Sequence, residues 1–215
     1  MGAYCAGWNS CDRERHECQF AHEPDDNLFK MASYCRFHLP MGEEGEGGKA
    51  DWDDTAKKAL SEAVRSTINQ ELQSDNEVSF DGVVVPLGID LSGEQIPAIS
   101  FSGAQFYGAV RFVDAEFSGT AYFKEAQFSG ITLFGGAQFL SDAYFTEAQF
   151  FGITNFVGAN FSGSATFNET QFYASADFSW AEFSDTADFF KAQFFSSKHP
   201  KRGSAYFRET QFSGN

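Results

Sequence analysis

Cationic side chains are few. The chain has 15 lysines and arginines against 30 aspartates and glutamates, a formal charge of −15. That balance disfavours nonspecific adhesion to nucleic acid or to an anionic membrane. Long apolar runs are missing as well. No stretch approaches the roughly 18–20 residues that span a bilayer, and the N-terminus has no basic stretch followed by an apolar one. The expected location is therefore the cytoplasm, with no membrane contact. Beyond Cys35 there is no cysteine at all; the four present lie in the first 35 residues, among histidines. In a cytoplasmic chain that clustering favours metal over disulfides. A phosphate-binding loop and a Ser-His-Asp constellation are also lacking, so the expectation is a protein that is not an enzyme. At 215 residues the chain suffices for one or two domains with a real interior.

Phenylalanine, by contrast, is heavily overused, with 27 copies. From Phe101 through Phe106, Phe112, Phe117 and Phe123 to Phe194 the spacing alternates between five and six residues without a break. Two places before each sits a small or short side chain, as at Ala104, Val110, Ala115, Ala121, Ala126 and Thr132. A helix needs a period of 3.6 and a strand needs sustained alternation. A-x-F supplies only two inward points before a polar pair intervenes, so the simplest object is a short strand, a corner, another short strand and another corner.

The outward positions set the length of the coil. Gln105, Gln127, Gln149, Gln171 and Gln193 recur every twenty-two residues, whereas the midway positions hold Glu116, Gln138, Asn160 and Glu182. Glu125, Glu147 and Glu169 keep the longer period, as do "SGIT" at 129–132 and "FGIT" at 151–154. Stacked coils let each residue touch its own copy above and below, and glutamines can hydrogen-bond along such a ladder. The expectation is a four-sided coil of twenty-two residues, two of its corners one residue longer, with phenylalanine inside in four columns. Each buried ring removes about 150–250 Å² from water. At about 4.8 Å per layer, some six coils make a rod of about 30 Å.

These residues resemble the pentapeptide-repeat family, whose unit is A-x-[L/F]-x-x, over 78–215; the sixth residue in alternate units resembles its Phe-rich subset. The resemblance implies a mainly β fold, a right-handed quadrilateral β-helix, of bacterial type. The earlier coils are irregular but in phase, with Phe80 matching Leu91 and Val85 matching Ile96.

Four segments follow from this reading: a head at 1–41, an acidic Gly/Glu linker at 42–50, an amphipathic helix at 51–73 and the solenoid at 78–215. Asp51 is the expected N-cap of the helix, and Trp52, Ala56, Leu60, Ala63, Val64, Ile68 and Leu72 share one face, which suits a cover over the open end of the first coil. A loop near 195–205 breaks the rhythm and carries Lys198, His199, Lys201 and Arg202, a basic cluster on an acidic rod. "YFRETQF" at 206–212 matches "YFKEAQF" and "YFTEAQF", which places it on the same two walls as those segments, with the loop replacing the other two. The pattern stops uncapped near Asn215, as expected of a chain that continues or of an end that pairs with a second copy as a homodimer.

In the head, Cys35-x-x-His38 is a usual zinc half-site, because two intervening residues let a tight turn present both ligands to one ion. Cys5 with Cys18, or Cys5 with Cys11, completes a Cys3His set around a knuckle resembling a treble clef. Pentapeptide-repeat proteins with such a zinc head, ending in C-x-F-H, are also ones the chain resembles, which implies a structural Zn2+. A competing set, Cys5, Cys11, Cys18 and His22 with Phe20, resembles zinc fingers that stack single-stranded RNA on aromatics; it strands Cys35 and His38. Residues 1–77 hold eight bases against sixteen acids, which argues against phosphate binding.

The leading expectation is a noncatalytic scaffold for a protein partner of unidentified type. Tyr107, Phe151, Tyr173 and Phe195 fall in one outward column interrupted by Ser129, and with Lys198, Lys201 and Arg202 of the loop they are the candidate contact residues. Tyr122 and Tyr144 stack in another column. Resemblance to quinolone-resistance pentapeptide proteins implies the alternative, a DNA mimic acting on a topoisomerase such as gyrase. B-DNA carries one charge per about 1.7 Å, nearly twenty over such a rod. Residues 78–215 hold fourteen acids and seven bases, a net of −7, well short of it.

Overall fold

The structure is a computed structural model that describes residues 11–12, 17–18, 41, 53–71, 77–195 and 204–214. From Val78 onward the chain forms a mainly β solenoid of parallel stacked coils, with four walls of six strands each. The first wall runs from Val78–Ser79 to Ala187–Asp188 and the second from Val84–Val85 to Gln193–Phe194. The third runs from Ile89–Asp90 to Ala205–Tyr206, and the fourth from Gln95–Ile96 to Gln211–Phe212. Every strand is two residues long because only A-x-F is extended before the chain must turn.

Registers follow the twenty-two-residue reading. Gln127 pairs with Gln105 and Gln149, and Phe128 with Phe106 and Phe150. Between the first two coils the step is twenty-one (Val78 beside Ile99), since Pro97-Ala98 makes a corner one residue shorter than Ser118-Gly119-Thr120. Backbone N–H and C=O groups are satisfied between layers, as where Phe145 donates to Thr166 at 2.7 Å and Gln149 to Ala126 at 2.8 Å.

Phenylalanine lines the interior in four columns. From Phe101 to Phe183 each ring on the repeat is essentially inaccessible to water. Rings stack vertically, as Phe128 on Phe150 at 4.7 Å and 3° and Phe139 on Phe161 at 4.6 Å and 2°. Neighbouring columns meet edge to face, as Phe134 with Phe145 at 5.6 Å and 85°. The alanine two places earlier is also fully buried, leaving room for the ring. Burying one such side chain is worth about 1.5–3 kcal/mol.

Helix α1, Asp54–Glu71, lies against the first coil, touching Val84–Val85 and Ile89–Asp90. Leu60 and Val64 are fully buried there, with Ala56 and Ala63 partly so. Arg65 pairs with Glu94 of the first coil through Nε at 3.1 Å and through a second guanidinium nitrogen. Under this cover Phe80, Val85, Leu91 and Ile96 are dry, whereas Phe207 and Phe212 of the last coil are 39% and 55% exposed. The N-cap is Asp53, not the expected Asp51: its Oδ1 accepts from the Ala56 N–H at 2.7 Å. "DWDD" offers both aspartates, and Asp53 is the one three residues before a free helical N–H. Asp51, Trp52 and Leu72 lie outside the described residues.

A second expectation is overturned at the far end. Ala205 pairs with Ala176 and Gln211 with Glu182, so "YFRETQF" occupies the third and fourth walls, not the first and second. The loop replaces no wall; it lengthens one corner. The sequence misled because both half-coils share a tight corner of the same design, so A-x-F-x-x-A-x-F identifies a half-coil without saying which. Among the described residues no helix is long and apolar enough to cross a membrane.

A candidate interaction surface on one long corner

Two kinds of corner alternate. Tight corners, such as Phe123-Lys124-Glu125-Ala126, close with a hydrogen bond from the Ala126 N–H to the Phe123 carbonyl at 3.1 Å, and their third residue has positive φ, 58° at Glu125. Glu147 and Glu169 repeat that conformation in the coils above. The result is a column of carboxylates along the edge between first and second walls.

The long corners between second and third walls are built around glycine. A Cβ on Gly152 would lie 2.3 Å from the Gly130 carbonyl oxygen, and one on Gly130 would lie 2.4 Å from that of Gly108. Backbone therefore stacks directly on backbone, and the residues on either side of the glycine face outward. In "FGIT" these are Phe151 and Ile153, 44% and 52% exposed; Tyr107 and Ile131 occupy the matching places at 42% and 47%. Phe151 stacks on Tyr173 at 4.8 Å and 5°, and Tyr173 on Phe195 at 4.9 Å and 12°. The corner is thus a ridge with an aromatic column and an aliphatic column side by side.

Between the ridge and the carboxylates runs the glutamine wall. The Tyr173 hydroxyl donates to Gln171 Oε1 at 2.5 Å and the Tyr107 hydroxyl to Gln105 Oε1 at 3.2 Å. The expected glutamine-to-glutamine side-chain bonds do not form among the described residues; Gln105 and Gln171 are instead turned to the tyrosines two residues on. Beside the wall an open groove of about 390 Å³ is lined by Gln127, Gln149, Gln171 and the three glutamates, with Gly103 at one end. Lys124 pairs with Glu125 at 3.4 Å and Lys191 with Glu169 at 3.0 Å; among the described residues no cation pairs with Glu147.

The other tyrosine pair is different in kind. Tyr122 and Tyr144 stack at 5.2 Å and 9° on the first wall, half-buried. The Tyr144 hydroxyl donates to Asp142 Oδ2 at 3.1 Å, and that bond, aided by burial, holds its pKa above the usual phenol value.

Sequence reasoning named the aromatic column but missed Ile131 and Ile153. The signal lay in "SGIT" and "FGIT", which mark the period and also place isoleucine outward. Of the head ligands, Cys5, Cys35 and His38 lie outside the described residues, as do Lys198, Lys201 and Arg202 of the loop. For Cys11 and Cys18 only backbone is described, and it places them opposite each other in a short antiparallel pair.

The molecule so described is a β-solenoid of parallel coils carrying one helix. A family model described as Pentapeptide repeats (9 copies) matches residues 101–149 and 112–159, in the central coils. No curated protein and no solved structure matches the chain.

Proposed function

We propose that the protein is a noncatalytic scaffold that holds a protein partner on the ridge between its second and third walls. The observation that carries this reading is the stacked column Phe151–Tyr173–Phe195, exposed at Phe151 and half-buried at the other two rings, beside the exposed Ile131 and Ile153. Contiguous apolar surface of this kind on a soluble chain marks contact sites, and stacked rings held by the coil register lose little side-chain entropy on binding. The test is the double variant Phe151→Ser with Tyr173→Ser. Its melting temperature should stay near that of the wild type, because both rings are outside the core. Recovery of bound protein from native extract should fall, and equal recovery from both would reject the ridge.

A DNA-mimic role toward gyrase is the second reading, supported by the carboxylate column. Charge density weighs against it, at −7 for residues 78–215 against nearly twenty for a duplex of about 30 Å. A supercoiling assay decides: unimpaired gyrase at high protein concentration ends this reading.

For the head we propose a structural Zn2+ held by four of Cys5, Cys11, Cys18, Cys35 and His38. Its support is the Cys35-x-x-His38 spacing and the opposed backbone positions of Cys11 and Cys18. Metal content of wild type and Cys35→Ser tests it; equal zinc in both, or none in the wild type, refutes the assignment.

A further inference from the structure

We infer that the second wall is a seat for a cationic amphipathic helix, whose apolar stripe lies on the aromatic ridge and whose lysines or arginines reach the glutamate column. The inference rests on the ridge being a contact surface, and it adds what kind of partner fits and how that partner lies.

The wall offers side chains only. Its inner strands pair on both edges with the coils above and below, so no strand can be added to its face by main-chain bonds. Across the face run three parallel columns: carboxylates, amides and aromatic rings. A partner has to present positive charge along one side and apolar groups along the other, in one rigid element. Both columns repeat with the coil, at 4.8–4.9 Å in the ring stack. A helix repeats a face about every 5.4 Å, and a tilt of about 26° brings that repeat to the column spacing. Side chains on one face of a strand repeat about every 6.7 Å; matching would require a tilt of about 44°, a sideways drift of about 4.7 Å per repeat against about 2.4 Å for the helix. The helix fits.

Charge settles the sign of the partner. Glu147 stands between Glu125 and Glu169 with no cation of its own among the described residues, while its two neighbours are paired at either end. All three are exposed, so a lysine or arginine entering here relieves repulsion and gives up little of its hydration. A second copy of a chain with formal charge −15 would bring like charge to the same face, and a nucleic acid would do so more strongly.

The experiment uses three synthetic eighteen-residue peptides and the full chain, read by fluorescence anisotropy. One peptide is helical with a leucine stripe flanked by lysines, the second has glutamate for each lysine, and the third carries two central prolines. The lysine peptide should bind at least tenfold more tightly than either of the others, and binding should weaken as salt is raised. Glu147→Lys should reduce its affinity about tenfold; lysine is tolerated in that backbone conformation, since Lys191 occupies the same column position at φ 55°. Glu182→Lys, on the fourth wall, is the control for diffuse attraction to an acidic protein and should change binding less than twofold. Equal binding of the glutamate or proline peptide overturns the inference. So does an equal effect of Glu147→Lys and Glu182→Lys, or no binding of the lysine peptide. In each of those cases the ridge itself stands or falls separately, on whether Phe151→Ser with Tyr173→Ser loses the partner from extract.

Discussion

Phe145 and Phe156 meet edge to face, their centroids 5.5 Å apart and their planes at 87°. Phe145 is also stacked between Phe123 at 5.0 Å and Phe167 at 4.8 Å. Phe145 thus takes both favourable aromatic geometries at once, stacking along the axis and edge contact across it. Truncation in the middle of a column therefore costs more than at its open end. Phe145→Ala, in a dry site, should lose about 3–5 kcal/mol, whereas Phe212→Ala, at a ring 55% exposed, should lose about 1 kcal/mol. Urea unfolding of the two variants checks the difference; equal losses would mean that the columns do not carry the stability.

That interior is also why the fold was legible. A tube filled by one ring from each of its four walls in every coil favours phenylalanine at each inward point, so the five-six beat of phenylalanine could be read as walls. The outward ladder then fixed the coil length, because Gln127 and Gln149 must be vertical neighbours for the period to matter. Legibility ended where two places share one local chemistry. Residues 205–212 fit either half-coil, and only chain continuity assigns them to the third and fourth walls. Asp51 and Asp53 are equally good caps as residue types. Ile131 and Ile153 were visible as a repeat but not as a surface, since their exposure depends on the glycine before them.

The glycines differ sharply in what they permit. Gly152 has its would-be Cβ against the Gly130 carbonyl at 2.3 Å, while Gly158, at φ +66°, has nothing within 4 Å. Gly152→Ala forces the coils apart and should cost about 1–3 kcal/mol. Gly158→Asn pays only the left-handed backbone, which asparagine tolerates well, and should fall within about 1 kcal/mol of wild type. For a chain of this size that separates a drop of several degrees in melting temperature from one of at most a few.

Asp90 supplies a pH-dependent check on the first coil. The Ser92 side-chain hydrogen bond is the main cause that holds its carboxyl below the usual value; the Ser92 N–H, at 3.1 Å, and nearby Arg111 and Arg65 act in the same direction, against a burial effect that raises it. A carboxyl with a lowered folded-state pKa contributes stability that is fully present above its unfolded value of about 3.9. That contribution is lost as pH falls from there through the folded value. Carboxyl-carbon NMR should show Asp90 titrating below the ordinary aspartate range in the wild type and moving upward in Ser92→Ala. An unchanged midpoint would refute the role given to Ser92.

Helix α1 keeps one end of the tube from acting as an open sheet edge. Four strands of the first coil have no layer beneath them, and exposed parallel edges over an aromatic interior invite pairing with other chains. Leu60 and Val64, both fully buried, hold the helix in place, whereas the Arg65–Glu94 pair is solvent-accessible and should add about 1 kcal/mol or less. Leu60→Asp places a charge in the buried cluster that the helix shares with the first coil and should release the helix without unfolding the distant coils. Light scattering after size exclusion should then show concentration-dependent association, with β-rich circular dichroism retained. Arg65→Ala should remain as the wild type in both measurements. A Leu60→Asp variant with the wild type's oligomeric state and melting temperature would show that the first coil needs no cover.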